Sequence, residues 1–76
     1  MLAVTEKLAA ALATEIRRQC EERGWSGREL ARRTGIPPAV VTYKLAGTRA
    51  FDVPDLEAIA AAFELKAADL IARAEG

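Results

Sequence analysis

Residues 26–47, SGRELARRTGIPPAVVTYKLAG, decide the fold. Ser26 with Glu29 three residues later has the form of a capping box, in which the hydroxyl accepts one free amide of a helix start and the carboxylate reaches back to another. Leu30 and Ala31 face inward from the helix so begun, and Gly35 breaks it after barely two turns. Ile36-Pro37-Pro38 restarts the chain, since proline is tolerated only in the first turn of a new helix. That helix is expected to run from about Pro38 to Ala46 and to stop at Gly47. Ala31 and Gly35 lie four apart, with Val41 six further on. The small Ala31 lets the two helices cross closely, Gly35 takes the turn, and Leu30, Ile36 and Val41 seal the junction. This is helix-turn-helix spacing, used for DNA binding and also as a plain packing device.

Upstream, Thr5 is placed to cap a first helix, in which Leu8, Leu12, Ile16 and Cys20 recur every four residues as far as Gly24. Downstream, residues 48–51 lack helical periodicity and form a basic loop. Asp52 then caps a fourth helix, with Pro54 in its first turn, Asp55 three residues on, and Leu56, Ile59, Ala60 and Phe63 as its buried stripe. The stripe loses phase at 64–66, and Asp69, Leu70 and Ile71 read as a last short helix. The expected fold is all-α, a compact five-helix domain over 1–76, with the helix-turn-helix at about 26–47 and an N-terminal helix extension at about 1–15.

Seventy-six residues, 51% of them hydrophobic and 29% charged, suit one globular core. The eleven basic and eleven acidic residues cancel overall, but not locally. Residues 1–50 carry nine Lys or Arg against five Glu, and residues 51–76 carry two against six, so the halves differ as +4 and −4. A basic half fits a phosphate-facing surface, and it fits a merely solvated face as well. The single cysteine, Cys20, has no intrachain disulfide partner. The first residues lack a secretory signal pattern, and no apolar run approaches the roughly 20 residues that span a bilayer, so a cytoplasmic setting is expected. With no histidine, no phosphate-cradling glycine loop and no metal-ligand cluster, neither an enzyme nor a cofactor is expected.

The stretches ERGWSGRELARRTGIPPAVVTYKLAGTR (22–49) and FDVPDLEAIAAAFEL (51–65) resemble the phage repressor and Cro family of helix-turn-helix proteins, most closely its actinobacterial and actinophage members. The likeness spans roughly residues 16–71. It implies a lambda-repressor-like domain whose second helix rests on the DNA backbone while the third enters the major groove. By this resemblance Pro38, Ala39, Thr42 and Tyr43 reach base edges. Pro38 and Ala39 bring only apolar contact, suited to thymine methyls, and Thr42 and Tyr43 can hydrogen-bond. Phosphate contacts fall to Ser26, Arg28, Lys44, Thr48 and Arg49, and Arg32 and Arg33 are weaker candidates. The implied function is transcriptional repression, or Cro-like regulation, on a double-stranded operator, with no small-molecule substrate.

Where many members of that family carry a buried Arg–Glu pair, this chain has Cys20 and Leu45, expected to touch and to hold the first helix to the third. Trp25 and Phe51 read as core anchors. Glu64 stands where a glycine often follows the fourth helix. Weak homodimerisation on DNA has two candidate surfaces, the extension bearing Leu2, Val4, Leu8 and Leu12 and the side of Leu70 and Ile71; packing of the extension onto its own core is the alternative. Because the third helix is poor in polar residues, a protein-interaction module, such as an antitoxin-like or regulatory subunit gripping a protein through Val40 and Tyr43, is the rival function.

Overall fold

The computed structural model describes residues 2–76, with side chains described from Glu6 onward. Among these residues there are five helices and no strand: α1 (Leu2–Arg23), α2 (Gly27–Thr34), α3 (Pro38–Leu45), α4 (Val53–Ala62) and α5 (Ala67–Glu75). The 22 residues of α1, about 33 Å at 1.5 Å per residue, match the 32 Å long dimension of the molecule. This helix begins before Thr5, which therefore lies within it and does not cap it: residues 2–5 have no turn former to oppose helix. None of the described helices is long and apolar enough to cross a membrane.

The core draws on every helix. Ile16, Leu30, Ile59, Phe63 and Leu70 are essentially inaccessible, and Val41 is buried beside them. Each such side chain contributes about 1.5–3 kcal/mol by leaving water. Leu8 and Leu12 face this same cluster, so their part of the extension packs on its own domain; the side chains of Leu2 and Val4 lie outside the described residues. Leu70 is wholly buried and cannot form a dimer surface, a correction to its expected exposure, and Ile71 is partly covered. Cys20 is buried, which pushes its thiol pKa up, and Leu45 packs against the same cluster. Trp25 and Phe51 pack there too, each half-buried.

Three helix ends share one device. After α1, α3 and α4 the chain turns through a left-handed residue, at Gly24 (φ 69°), Gly47 (φ 85°) and Glu64 (φ 62°). In each case the next amide reaches back to the helix, Trp25 to Cys20, Thr48 to Tyr43 and Leu65 to Ala60, at 2.8–2.9 Å. These are Schellman closures, which use up carbonyls that would otherwise lack partners. Glu64 takes up the conformation that glycine adopts without strain.

Two buried polar side chains on α1 start a chain of hydrogen bonds across the domain. Glu15 accepts from Arg18 (2.6 Å) and Gln19 (2.7 Å), Gln19 Oε1 accepts from Arg23 (2.7 Å), and Arg23 also donates to the Phe63 carbonyl (3.1 Å) at the end of α4. The Arg23 guanidinium lies 4.7 Å from the Phe63 ring centroid, and Phe63 stacks on Trp25 at 5.7 Å. The hydrogen bond from Arg18, aided by Gln19, outweighs burial and holds the Glu15 carboxyl below the ordinary glutamate range.

Candidate nucleic-acid interface

The start of α2 is built by Ser26, whose extended backbone (φ −80°, ψ 171°) aims Oγ at the Glu29 amide, 3.1 Å away. The expected capping box is only half formed. The Glu29 carboxylate turns along the helix to Arg32 (2.5 Å) and Arg33 (2.6 Å), where two guanidinium groups outcompete one backbone amide. That choice also removes Arg32 and Arg33 from the pool of unpaired cations; Arg33 stacks further on Trp25, 4.1 Å from its centroid. Ser26 and Arg28 remain exposed, and Arg28 has no ion-pair partner among the described residues. The exposed start of a helix, with free amides and positive partial charge, is suited to a phosphate.

α3 has no side-chain cap; Pro37 and Pro38 enter it with fixed backbone geometry. Val41 is its buried anchor, whereas Pro38, Ala39, Thr42 and Tyr43 are all exposed. The Thr42 hydroxyl donates to the Pro38 carbonyl (3.1 Å) and so presents lone pairs and a methyl outward. Tyr43, 46% exposed, is one of only two large hydrophobic side chains standing open among the described residues. Val40 is half-buried, which narrows the face available to the rival protein-gripping surface.

The loop after α3 is fastened at both ends. At its entry the Tyr43 carbonyl accepts from the amides of Thr48 (2.9 Å) and Arg49 (3.4 Å), and the Arg49 guanidinium lies 5.5 Å from the Tyr43 ring centroid. At its exit Asp52 and Asp55 form a complete capping box, the Asp55 amide donating to Asp52 (2.8 Å) and the Asp52 amide to Asp55 Oδ2 (3.1 Å). The same Oδ2 accepts from the Lys44 ammonium. Burial works to raise the Asp55 pKa, and Lys44 together with the Asp52 amide outweighs it, leaving the carboxyl below its ordinary value.

Of the nine residues expected at the interface, eight are exposed: Ser26, Arg28, Pro38, Ala39, Thr42, Tyr43, Thr48 and Arg49. Lys44 differs. Its side chain is 11% exposed and turned toward Asp55, itself 13% exposed, so its charge is spent inside the protein. Sequence pattern gives Asp55 only its capping role, because a partner eleven residues away across a loop leaves no periodic trace. Arg17, whose place in the sequence carries no signal of its partner, bridges helices by donating to the Leu45 carbonyl.

An all-helical domain that presents a short helix across a tight turn from a second, with exposed cations flanking it, is a DNA-binding architecture of the helix-turn-helix class. Residues 11–74 match the model of the family described as a helix-turn-helix domain, and the chain belongs to that family. No curated protein and no solved structure gives a significant match.

Proposed function

We propose that this protein is a sequence-specific double-stranded DNA-binding regulator, a repressor or Cro-like, with α3 in the major groove. The observation that carries this reading is the division among the arginines. Within the helix-turn-helix, Arg32 and Arg33 are held by Glu29, while Arg28 and Arg49, exposed at its two ends, lack acidic partners among the described residues; Arg17 and Arg23, on α1, are spent on carbonyls, and Arg73 lies away on α5. Cations left free on both flanks of an exposed helix suit two phosphate rows bordering one groove. Ser26, Arg28, Thr48 and Arg49 then position the protein. Tyr43 reads a base by its hydroxyl, Thr42 accepts from an exocyclic amine, and Pro38 and Ala39 rest on thymine methyls. Two copies on half-sites about 34 Å apart would supply the specificity that so sparse a base-reading set lacks.

Anisotropy titration of a random 20-bp duplex at several salt concentrations tests the reading, followed by selection of preferred sequences from a random pool. Binding that weakens steeply with salt, and enrichment of a pseudo-palindrome, are expected. No binding at low salt would favour a protein partner instead.

A further inference from the structure

Lys44 and Asp55 join helices that otherwise share little surface. α3 packs chiefly on α1 and α2, and α4 on α2 and α5. Between α3 and α4 runs the loop 46–52, whose exposed Thr48 and Arg49 carry the phosphate-facing role proposed above. Asp55 Oδ2 is the joint: it accepts the amide of Asp52, where the loop ends, and the ammonium of Lys44, in the last turn of α3. One atom therefore fixes the end of the recognition helix and the end of the loop to the first turn of α4. Turning Lys44 out to a phosphate would strand a largely buried carboxylate without its counter-charge.

We propose that Lys44 and Asp55 are a positioning pair that holds loop 46–52 against the third helix, so that Asp55, although acidic and close to the phosphate-facing surface, strengthens DNA binding through Arg49. This rests on the DNA-binding reading. It predicts a sign that simple electrostatics reverses, because removing a negative charge from a DNA-binding surface ordinarily tightens binding.

The test compares the parent with Lys44→Met, Asp55→Asn and the double variant, each also in an Arg49→Ala background. All are titrated with a random 20-bp duplex at a temperature where circular dichroism shows them folded. Asparagine can still accept the Asp52 amide, and the double variant buries no charge, so folding is retained. Each single variant and the double should bind about tenfold more weakly than the parent, with no additivity, as expected of residues acting as one unit. In the Arg49→Ala background the same substitutions should change affinity by less than about twofold. Binding by Asp55→Asn equal to or tighter than the parent, additive effects in the double variant, or losses that persist without Arg49 would each overturn the pair's role. A parent that binds no duplex overturns the DNA-binding reading and this inference together, whereas a parent that binds while Asp55→Asn binds tighter overturns only the latter.

Discussion

Arg23 and Arg49 are the same side chain used in opposite ways. At the ends of α1 and α4, the Arg23 guanidinium lies against Phe63 and hydrogen-bonds Gln19 and the Phe63 carbonyl, so its charge closes helix ends of its own domain. After α3, the Arg49 guanidinium leans on an exposed tyrosine, with no acidic partner among the described residues and its donors facing water. The formal charge of a region is therefore a poor guide to what it can bind. The share of its cations already neutralised decides, and on the helix-turn-helix side that share is lowest at the two ends.

If the division is real, Arg23→Ala should lower Tm by roughly 10 °C, on the order of 2 kcal/mol for a domain of this size, and leave duplex affinity of the folded protein unchanged. Thermal melts and anisotropy on one preparation decide it, and an affinity loss without a Tm loss would break the comparison. Arg49→Ala should do the reverse: about tenfold weaker binding to specific and random duplex alike, a salt slope smaller by about one, and an unshifted melt.

Tyr43 lies on the border, and two substitutions sharpen its part. Tyr43→Phe keeps the ring beneath Arg49 and removes only the hydroxyl, so affinity for a selected site should fall by about 1 kcal/mol with random-duplex binding intact. Tyr43→Ala should weaken both, because Arg49 loses its platform. Equal behaviour of the two in duplex titrations would mean that the ring contact contributes nothing. The smallest effect belongs to the scaffold. Glu64→Gly, at a left-handed position, should stabilise by about 0.5–1 kcal/mol, seen as a midpoint shift in urea with unchanged slope and unchanged DNA affinity.

Features governed by neighbours in sequence were legible. The Ser26 cap, the Gly35 turn, the proline restart at 37–38 and the start of α4 at Asp52 each follow from a residue's own backbone preferences, and each is found. What escaped is what distant side chains decide. Glu29 is a local exception: its spacing from Ser26 suits a capping box and its spacing from Arg32 and Arg33 suits helical ion pairs, and the arginines hold it. By sequence Lys44 is a surface cation, because nothing local reveals that Asp55 faces it across a loop. The sequence leaves Leu70 free to face outward, since an apolar residue on a short terminal helix shows its orientation only once α1 lies against α5. The match over residues 11–74 establishes the helix-turn-helix class, while the individual contacts to bases and phosphates rest on exposure and on unpaired charge.

The fastening of loop 46–52 has a thermodynamic consequence. Ordering a free backbone residue costs about 1–2 kcal/mol, and a contact loop that became fixed only on docking would meet that cost from its binding energy. Here the Tyr43 carbonyl and the Asp52–Asp55 capping box restrain the loop before any partner arrives. Folding has already met part of the loop-ordering share of the cost of complex formation. Loosening of that joint on heating should accordingly appear as lost affinity at temperatures where the helices are still intact.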